Sequence, residues 1–343
     1  MSEKLDPSQI MQMGMGFFAS KTLLSAVELG LFSFLADQPK TRSEIESKLE
    51  LHKRASTDFL DALVSLGMLK REGDGDKSKY SNTAETKCFL DRKSPMYIGG
   101  MLEMASARLY RHWSDLTEGL RTGKPQNEIK SSKNNEDLFA ALYSNPAKLE
   151  GFLAAMAGVQ KGNFMMLAEK FDFTKYKTLC DLGGAGAAFS IAVAKKHPSL
   201  KITSFDLAEA LPIATRNIKE AEVTEQVTPV AGDFFKDSIP KASVISMGNI
   251  LHDWGLAEKK ALIKKVYDAL PVGGCFIAIE NIIDDERRKN TFGLLMSLNM
   301  LIETENGFDY TGTQFQSWCQ EAGFKSIEFM QLTGPTSAAI AYK

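Results

Sequence analysis

The sequence predicts an α/β protein: a doubly wound sheet of seven strands, preceded by a mostly helical region of winged-helix type. Three observations predict it. Up to about residue 165 apolar residues recur at helical spacing, whereas from Thr178 onward short β-rich runs alternate with amphipathic helices, the pattern of a parallel sheet. The chain then closes with two β-rich runs flanking Thr333, Gly334 and Pro335, a turn too short for a crossover and therefore an antiparallel hairpin at the sheet edge. A length of 343 residues suits roughly two domains, and the changes of texture divide it into a winged-helix part over 1–105, a helical linker over 106–172 and a sheet domain over 173–343.

In chain order, Phe17 to Leu35 carries a helical apolar stripe, and Thr41 to Leu49 is a short helix with Thr41 as N-cap before Glu44. Ser56 to Leu66 is the next helix. LKREGDGDKSKYSNT follows as a hairpin whose glycines permit the tight turn. The polar, aperiodic segment Gly123 to Glu136 reads as a surface loop, and Pro146 to Phe171 as the helix leading into the sheet domain. There TLCDLG, KITSFD, QVTPVAGD, ASVISMGNIL and CFIAIENII are the five strands of the doubly wound part. Helices lie between them near Phe189 to Lys196, Glu209 to Glu222 and Ala257 to Leu270. A helix over Thr311 to Ala322 precedes the closing strands SIEFMQL and SAAIAYK.

Composition narrows the function. Hydrophobic residues at 44% and charged residues at 24% are ordinary for a globular chain. With 41 basic and 43 acidic residues the net charge is −2, too small a field to recruit nucleic acid or an anionic membrane. On the candidate recognition helix Arg54 is answered by Asp58 and Asp61, so a DNA-binding use of the winged helix is disfavoured. The apolar runs are far too short to span a bilayer and the polar start is no signal peptide, which points to the cytoplasm. Cys88, Cys180, Cys275 and Cys319 show no CxxC spacing and the four histidines no HxxxH pair, so neither disulfides nor a metal site is expected. Met11, Met13, Met15, Phe17 and Phe18, with the apolar run behind them, offer more hydrophobic area than a small domain uses, and homodimerisation is the economical use for it.

The run DLGGAGAAF, Asp181 to Phe189, puts Gly183 and Gly184 directly after the first strand of the sheet, where a Rossmann-like fold turns tightly and lets a ligand approach the backbone. Read as GxGxxG it fails at Phe189, which disfavours NAD. Asp181, Asp206 and Asp233 lie at three successive strand ends. Asp206 suits a pair of ribose hydroxyls and Asp233 an adenine amino group, together a nucleoside site without phosphates.

DLGG, FDL at Asp206, GDFF at Asp233, LHDW at Leu251 to Trp254 and ALPVGG before the fifth strand resemble the S-adenosylmethionine-dependent O-methyltransferases of the caffeic-acid and acetylserotonin type and their bacterial small-molecule relatives. The resemblance covers nearly the whole chain. It implies cofactor contacts from Gly183, Asp206, Leu207, Asp233 and Phe234, with Trp254 lining the same site, S-adenosylhomocysteine as product, and dimerisation through the winged-helix region. Two departures stand out: Ala185 and Ala187 occupy usual glycine positions, and Gly248 and Asn249 stand where the family often has a basic residue.

Methyl transfer from a sulfonium needs an aligned acceptor and one base to take its proton. His252 follows the fourth strand at its carboxyl end, the edge at which such folds bind ligands. The resemblance makes it that base, with Glu280 and Asp309 flanking the imidazole. Glu280 within the apolar run CFIAIENII needs a polar partner on physical grounds alone. The resemblance also lays the stripe Met296, Asn299, Met300 and Glu303 over an acceptor pocket shared with Phe152, Met156 and Phe164. Tyr143 and Asp253 complete the candidate acceptor contacts. The expected reaction is methylation of a hydroxyl on a small, aromatic acceptor. A thioether, thiol, amine or carbon acceptor is the alternative, and for a thioether no base is needed. A non-catalytic regulator that senses a nucleoside and binds DNA or a partner is a third reading, disfavoured by the recognition helix and by the intact HDW.

Overall fold

The computed structural model describes residues 5–128, 143 and 145–343. It divides into two compact units, Met1–Arg111 and His112–Lys343.

In the first unit the strands β1 (Lys40–Thr41), β2 (Leu69–Glu72) and β3 (Lys79–Asn82) form an antiparallel sheet in the order β1-β3-β2. Thr41 caps the helix Arg42–Leu49 through a reciprocal box with Glu44, as its spacing from Glu44 requires. The helix Lys53–Ser65 and the β2–β3 hairpin complete the winged helix. The single helix expected over Phe17 to Leu35 is instead two, Gly16–Glu28 and Leu31–Phe34. Gly30 separates them at φ +72°, a left-handed conformation that ends a helix cheaply only at glycine. Both pieces send Val27, Leu31, Phe32 and Leu35 into a core shared with Ile45, Leu60, Leu63 and Tyr80. Ahead of them the helix Ser8–Gly14 has no buried residue, and Met11, Met13, Phe17 and Phe18 are exposed.

In the second unit the helix Pro146–Lys170, capped by the Asn145 side chain, runs into the sheet. The sheet strands are β4 (Thr178–Leu182), β5 (Lys201–Asp206), β6 (Val227–Ala231), β7 (Val244–Gly248), β8 (Cys275–Glu280), β9 (Ser326–Gln331) and β10 (Ser337–Tyr342), in the order β6-β5-β4-β7-β8-β10-β9. β4 to β8 are parallel, and β10 joins antiparallel to both β8 and β9. The central strands are buried on both faces, which is why they read as continuous apolar runs. Cys180, Cys275 and Cys319 are among the buried residues, and all four cysteines are free thiols. One apolar layer joins Phe173, Phe189, Ile202 and Ile277, and the other Leu182, Ile245, Leu262, Phe276 and Phe315. Strand order reverses between β4 and β7, so the carboxyl ends of those strands form the crevice in which such sheets bind ligands. Among the described residues no helix is long and apolar enough to cross a membrane. Residues 129–136 of the loop expected over Gly123 to Glu136 lie outside the described residues.

Candidate active site

At the crevice the chain leaves β4 through Gly183, whose φ is +67° and whose replacement by any larger residue would bring a Cβ within 2.4 Å of Ile250. A Cβ on Gly184 would meet the Ser204 hydroxyl at 2.3 Å. The loop therefore rides directly on the sheet end. Ala185 and Ala187 follow at φ +50° and +63°, where a methyl group costs about 1–2 kcal/mol that glycine avoids.

Asp206 holds this loop. Its carboxylate, 8% exposed, accepts the amides of Ala185 and Leu207, each at 2.7 Å, and the Tyr143 hydroxyl at 3.3 Å. Burial raises its pKa against the pull of those donors. The longest of the three bonds is the one to the Tyr143 hydroxyl, and the two backbone bonds are the short ones. Asp181 is turned the other way. Its oxygens accept from Ser246 at 2.8 Å and Ser190 at 3.1 Å beneath the loop, and burial lifts it to about 6. The Asp233 carboxylate accepts the Phe235 amide at 2.8 Å and pairs with Lys236 at 2.9 Å. Trp254 packs edge-on against Phe235 and Phe234, with ring centroids 4.6 and 6.3 Å away. Phe234 also touches the space above Gly183.

His252 lies in a single turn, Leu251–Asp253, after β7, and is 7% exposed. Its Nδ1 stands 3.5 Å from Glu280 Oε2 and 3.5 Å from Asp309 Oδ1, and its Nε2 is 3.4 Å from Asp253 Oδ1. Burial works against a charge on the ring, but Glu280, Asp253 and Asp309 outweigh it and lift the imidazole to about 10. Two carboxyl groups on one nitrogen is an arrangement that a proton on Nδ1 satisfies. Glu280, at the end of β8, is raised by its burial to about 7, with His252 pulling the other way. Its Oε1 accepts the amides of Ile250 and Leu251 at 3.2 and 3.0 Å. The same side chain thus anchors the turn that carries the histidine and addresses the histidine itself. Asp309 is tied at its amide to Ser297 of the helix Thr291–Glu303, 3.2 Å away.

Apart from Tyr143 and Asp253, the candidate acceptor residues come from two helices. Phe152 and Tyr143 pack with Leu149, Leu153, Ala185 and Ile213, beside the glycine loop. The Phe164 ring packs tilted against that of Phe189, with centroids 5.3 Å apart, and a Cβ on Gly248 would lie 3.5 Å from the Phe164 ring. Phe164 thus fills the space toward which a basic residue at 248 would project. Met156 and Met296 are half-buried, while Met300 and Glu303 are buried. The side-chain carbonyl of Asn299 accepts the Trp113 indole N–H at 2.9 Å. Lys259 escaped the sequence reading. It lies in the charged run AEKK, which suggests a solvated helix face, yet it is wholly buried, its Nζ on the Trp254 carbonyl and 3.6 Å from the centre of the Phe308 ring.

The family model for the O-methyltransferase domain matches residues 113–325, and that for the O-methyltransferase dimerisation domain matches residues 11–92. The tetracenomycin polyketide synthesis 8-O-methyl transferase of Streptomyces glaucescens is 39% identical over 337 residues, 98% of this chain and 97% of that protein. Acetylserotonin O-methyltransferase of Homo sapiens is 32% identical over 330 residues, 96% of this chain and 95% of its own. The crystal structure of human N-acetylserotonin methyltransferase in complex with S-adenosylmethionine superposes with a TM-score of 0.92 at 30% identity, covering 100% of this chain and 99% of that one.

Proposed function

The chain belongs to the S-adenosylmethionine-dependent O-methyltransferase family, whose members act on small molecules, and from that premise we propose that it methylates a hydroxyl of a small aromatic acceptor with His252 as the base. The observation that carries the reading is the paired approach of Glu280 and Asp309 to one imidazole nitrogen, each at 3.5 Å. A proton on Nδ1, the nitrogen that faces both carboxyl groups, leaves the lone pair on Nε2, the tautomer that a base requires. Asp253, 3.4 Å from Nε2, orients the incoming hydroxyl. The aromatic and methionine side chains of Phe152, Met156, Phe164, Met296 and Met300 suit a flat apolar acceptor, and Asn299 and Glu303 supply its polar contacts.

Asp206 binds the ribose in this reading, the backbone of Gly183, Gly184 and Leu207 borders the cofactor, and Asp233, Phe234 and Trp254 enclose its base. When bound, S-adenosylmethionine supplies a methyl group already activated on a positively charged sulfur. Bound cofactor would bring a positive charge to the site, which would disfavour the imidazolium that persists up to about pH 10 in the free site and leave the ring able to take the acceptor's proton. Two copies pair through the apolar surface of Met11, Met13, Phe17 and Phe18, exposed in the single chain.

The test is methyl transfer from labelled S-adenosylmethionine to a panel of phenols, aliphatic alcohols, thioethers and amines by wild type and His252→Gln, with product masses identifying the methylated atom. A phenol methylated by wild type and at least a hundredfold more slowly by H252Q supports the reading, that being the usual worth of a general base. A thioether methylated equally by both proteins rejects it.

A further inference from the structure

Lys259 belongs to no part of the chemistry described so far, and its position is costly. It lies in the first turn of the helix Leu256–Ala269 and is wholly buried. Among the described residues no carboxylate closes an ion pair with it. Its Nζ donates to the carbonyl of Trp254 and stands 3.6 Å from the centre of the Phe308 ring and 5.8 Å from that of Tyr310. Trp254 ends the turn that carries His252, and Phe308 immediately precedes Asp309. One ammonium therefore touches the backbone on the histidine side of the site and the aromatic side chain on the aspartate side. A buried charge is weak evidence of a stabilising role, so stability alone does not account for a lysine here.

We infer that Lys259 is a positioning residue, a charged strut between the Trp254 carbonyl and the Phe308 ring that keeps His252 and Asp309 at their working distance. The strut depends on charge. A neutral amine still donates to the carbonyl but loses its attraction to the ring face. The groups facing the ammonium and the imidazole are Glu258 on its own helix, Asp253 on the histidine turn, Glu280 at the end of β8, and Asp309 and Tyr310 beyond Phe308. Burial lowers Lys259 to about 8, with the four carboxyl groups acting against it. The strut is therefore set at neutral pH and weakens above about pH 8.

The inference rests on the reading of His252 as base, and the experiment separates the two. Lys259→Met removes the charge and keeps the volume. At pH 7 it is expected to melt at or above the wild-type temperature and to bind S-adenosylhomocysteine within twofold of wild type. Its kcat is expected to fall tenfold to a hundredfold, the scale of a small misplacement of reacting groups. Wild-type kcat should decline above about pH 8, K259M should lack that alkaline limb, and Lys259→Arg should recover part of the rate and carry the limb to higher pH. The ring signals of His252, identified in NMR spectra by their absence from H252Q, should move in K259M. A K259M that loses melting temperature in step with activity, or one with wild-type kcat, overturns the inference. Should K259M not fold, Phe308→Leu keeps the charge and removes the ring beneath it, and unmoved His252 signals there overturn the inference equally. Moved His252 signals together with a fully active H252Q uphold the strut and reject the base.

Discussion

Glu280→Gln separates the two tasks of one carboxylate. Its Oε1 accepts the amides of Ile250 and Leu251, and a glutamine carbonyl can keep both bonds. Its Oε2 lies 3.5 Å from His252 Nδ1, and there the substitution exchanges a charge for an amide donor. A unit charge at 3.5 Å in an environment of effective dielectric near 20 is worth roughly 5 kcal/mol, or roughly three to four pKa units. Asp309 at 3.5 Å and Asp253 at 3.4 Å remain, so the imidazole should come down from about 10 without falling far below the ordinary range. The sign follows from the charge: without the negative neighbour the imidazolium is less favoured, and the ring loses its proton at lower pH. The new amide also competes for the Nδ1 lone pair and draws the proton to Nε2, the wrong nitrogen for a base. NMR titration of the His252 ring should therefore show a fall of roughly three to four pKa units, on the Coulomb scale just given, while kcat drops on the order of tenfold to a hundredfold with Asp309 still in place. An unmoved His252 titration in a folded E280Q would refute the claim that Glu280 raises the base.

Three further outcomes are expected. Asp206→Asn keeps one acceptor for two backbone amides and should weaken S-adenosylhomocysteine binding by tenfold to several hundredfold in calorimetry, the worth of a charge-assisted hydrogen bond; unchanged affinity removes Asp206 from the site. Ala185→Gly relieves a left-handed alanine at φ +50° and should raise thermal stability by up to about 1 kcal/mol once the extra freedom of glycine in the unfolded chain is counted; a lower melting temperature contradicts the strain argument. The pair Phe17→Ser and Phe18→Ser should give a folded monomer in sedimentation velocity, since both rings are exposed in the single chain. Deleting residues 1 to 35 is a poorer test, because it also removes Val27, Leu31 and Phe32 from the core.

The sequence was most legible where local chemistry and tertiary demand coincide. The strands of the parallel sheet announce themselves as apolar runs because both faces are covered, and the Thr41 cap follows from spacing alone. His252, Glu280 and Asp309 were grouped by resemblance, although Glu280 was conspicuous by itself as a carboxylate inside a buried strand. The break at Gly30 was not legible, because a glycine within a helical stripe ends a helix only when the next turn has somewhere else to pack. Asp181, Asp206 and Asp233 looked alike at three strand ends, yet their oxygens are taken respectively by Ser190 and Ser246, by Ala185 and Leu207, and by Phe235 and Lys236. Nothing in the alternation of apolar residues says which way a strand-end carboxylate turns. Lys259 was missed for the opposite reason: composition says lysine is outside, and only the meeting of Trp254 and Phe308 in space gives its ammonium a place to stay.

The anchoring of the histidine turn on the last residue of β8 bears on how such a protein can change. His252 and Glu280 hang from the ends of β7 and β8, whereas Phe152, Met156, Phe164, Met296 and Asn299 belong to two helices, Pro146–Lys170 and Thr291–Glu303. On the proposed reading, substitutions on Pro146–Lys170 would alter what is accepted without touching the histidine turn, whereas Thr291–Glu303 also holds the Asp309 amide through Ser297, so that substitutions there would couple the two.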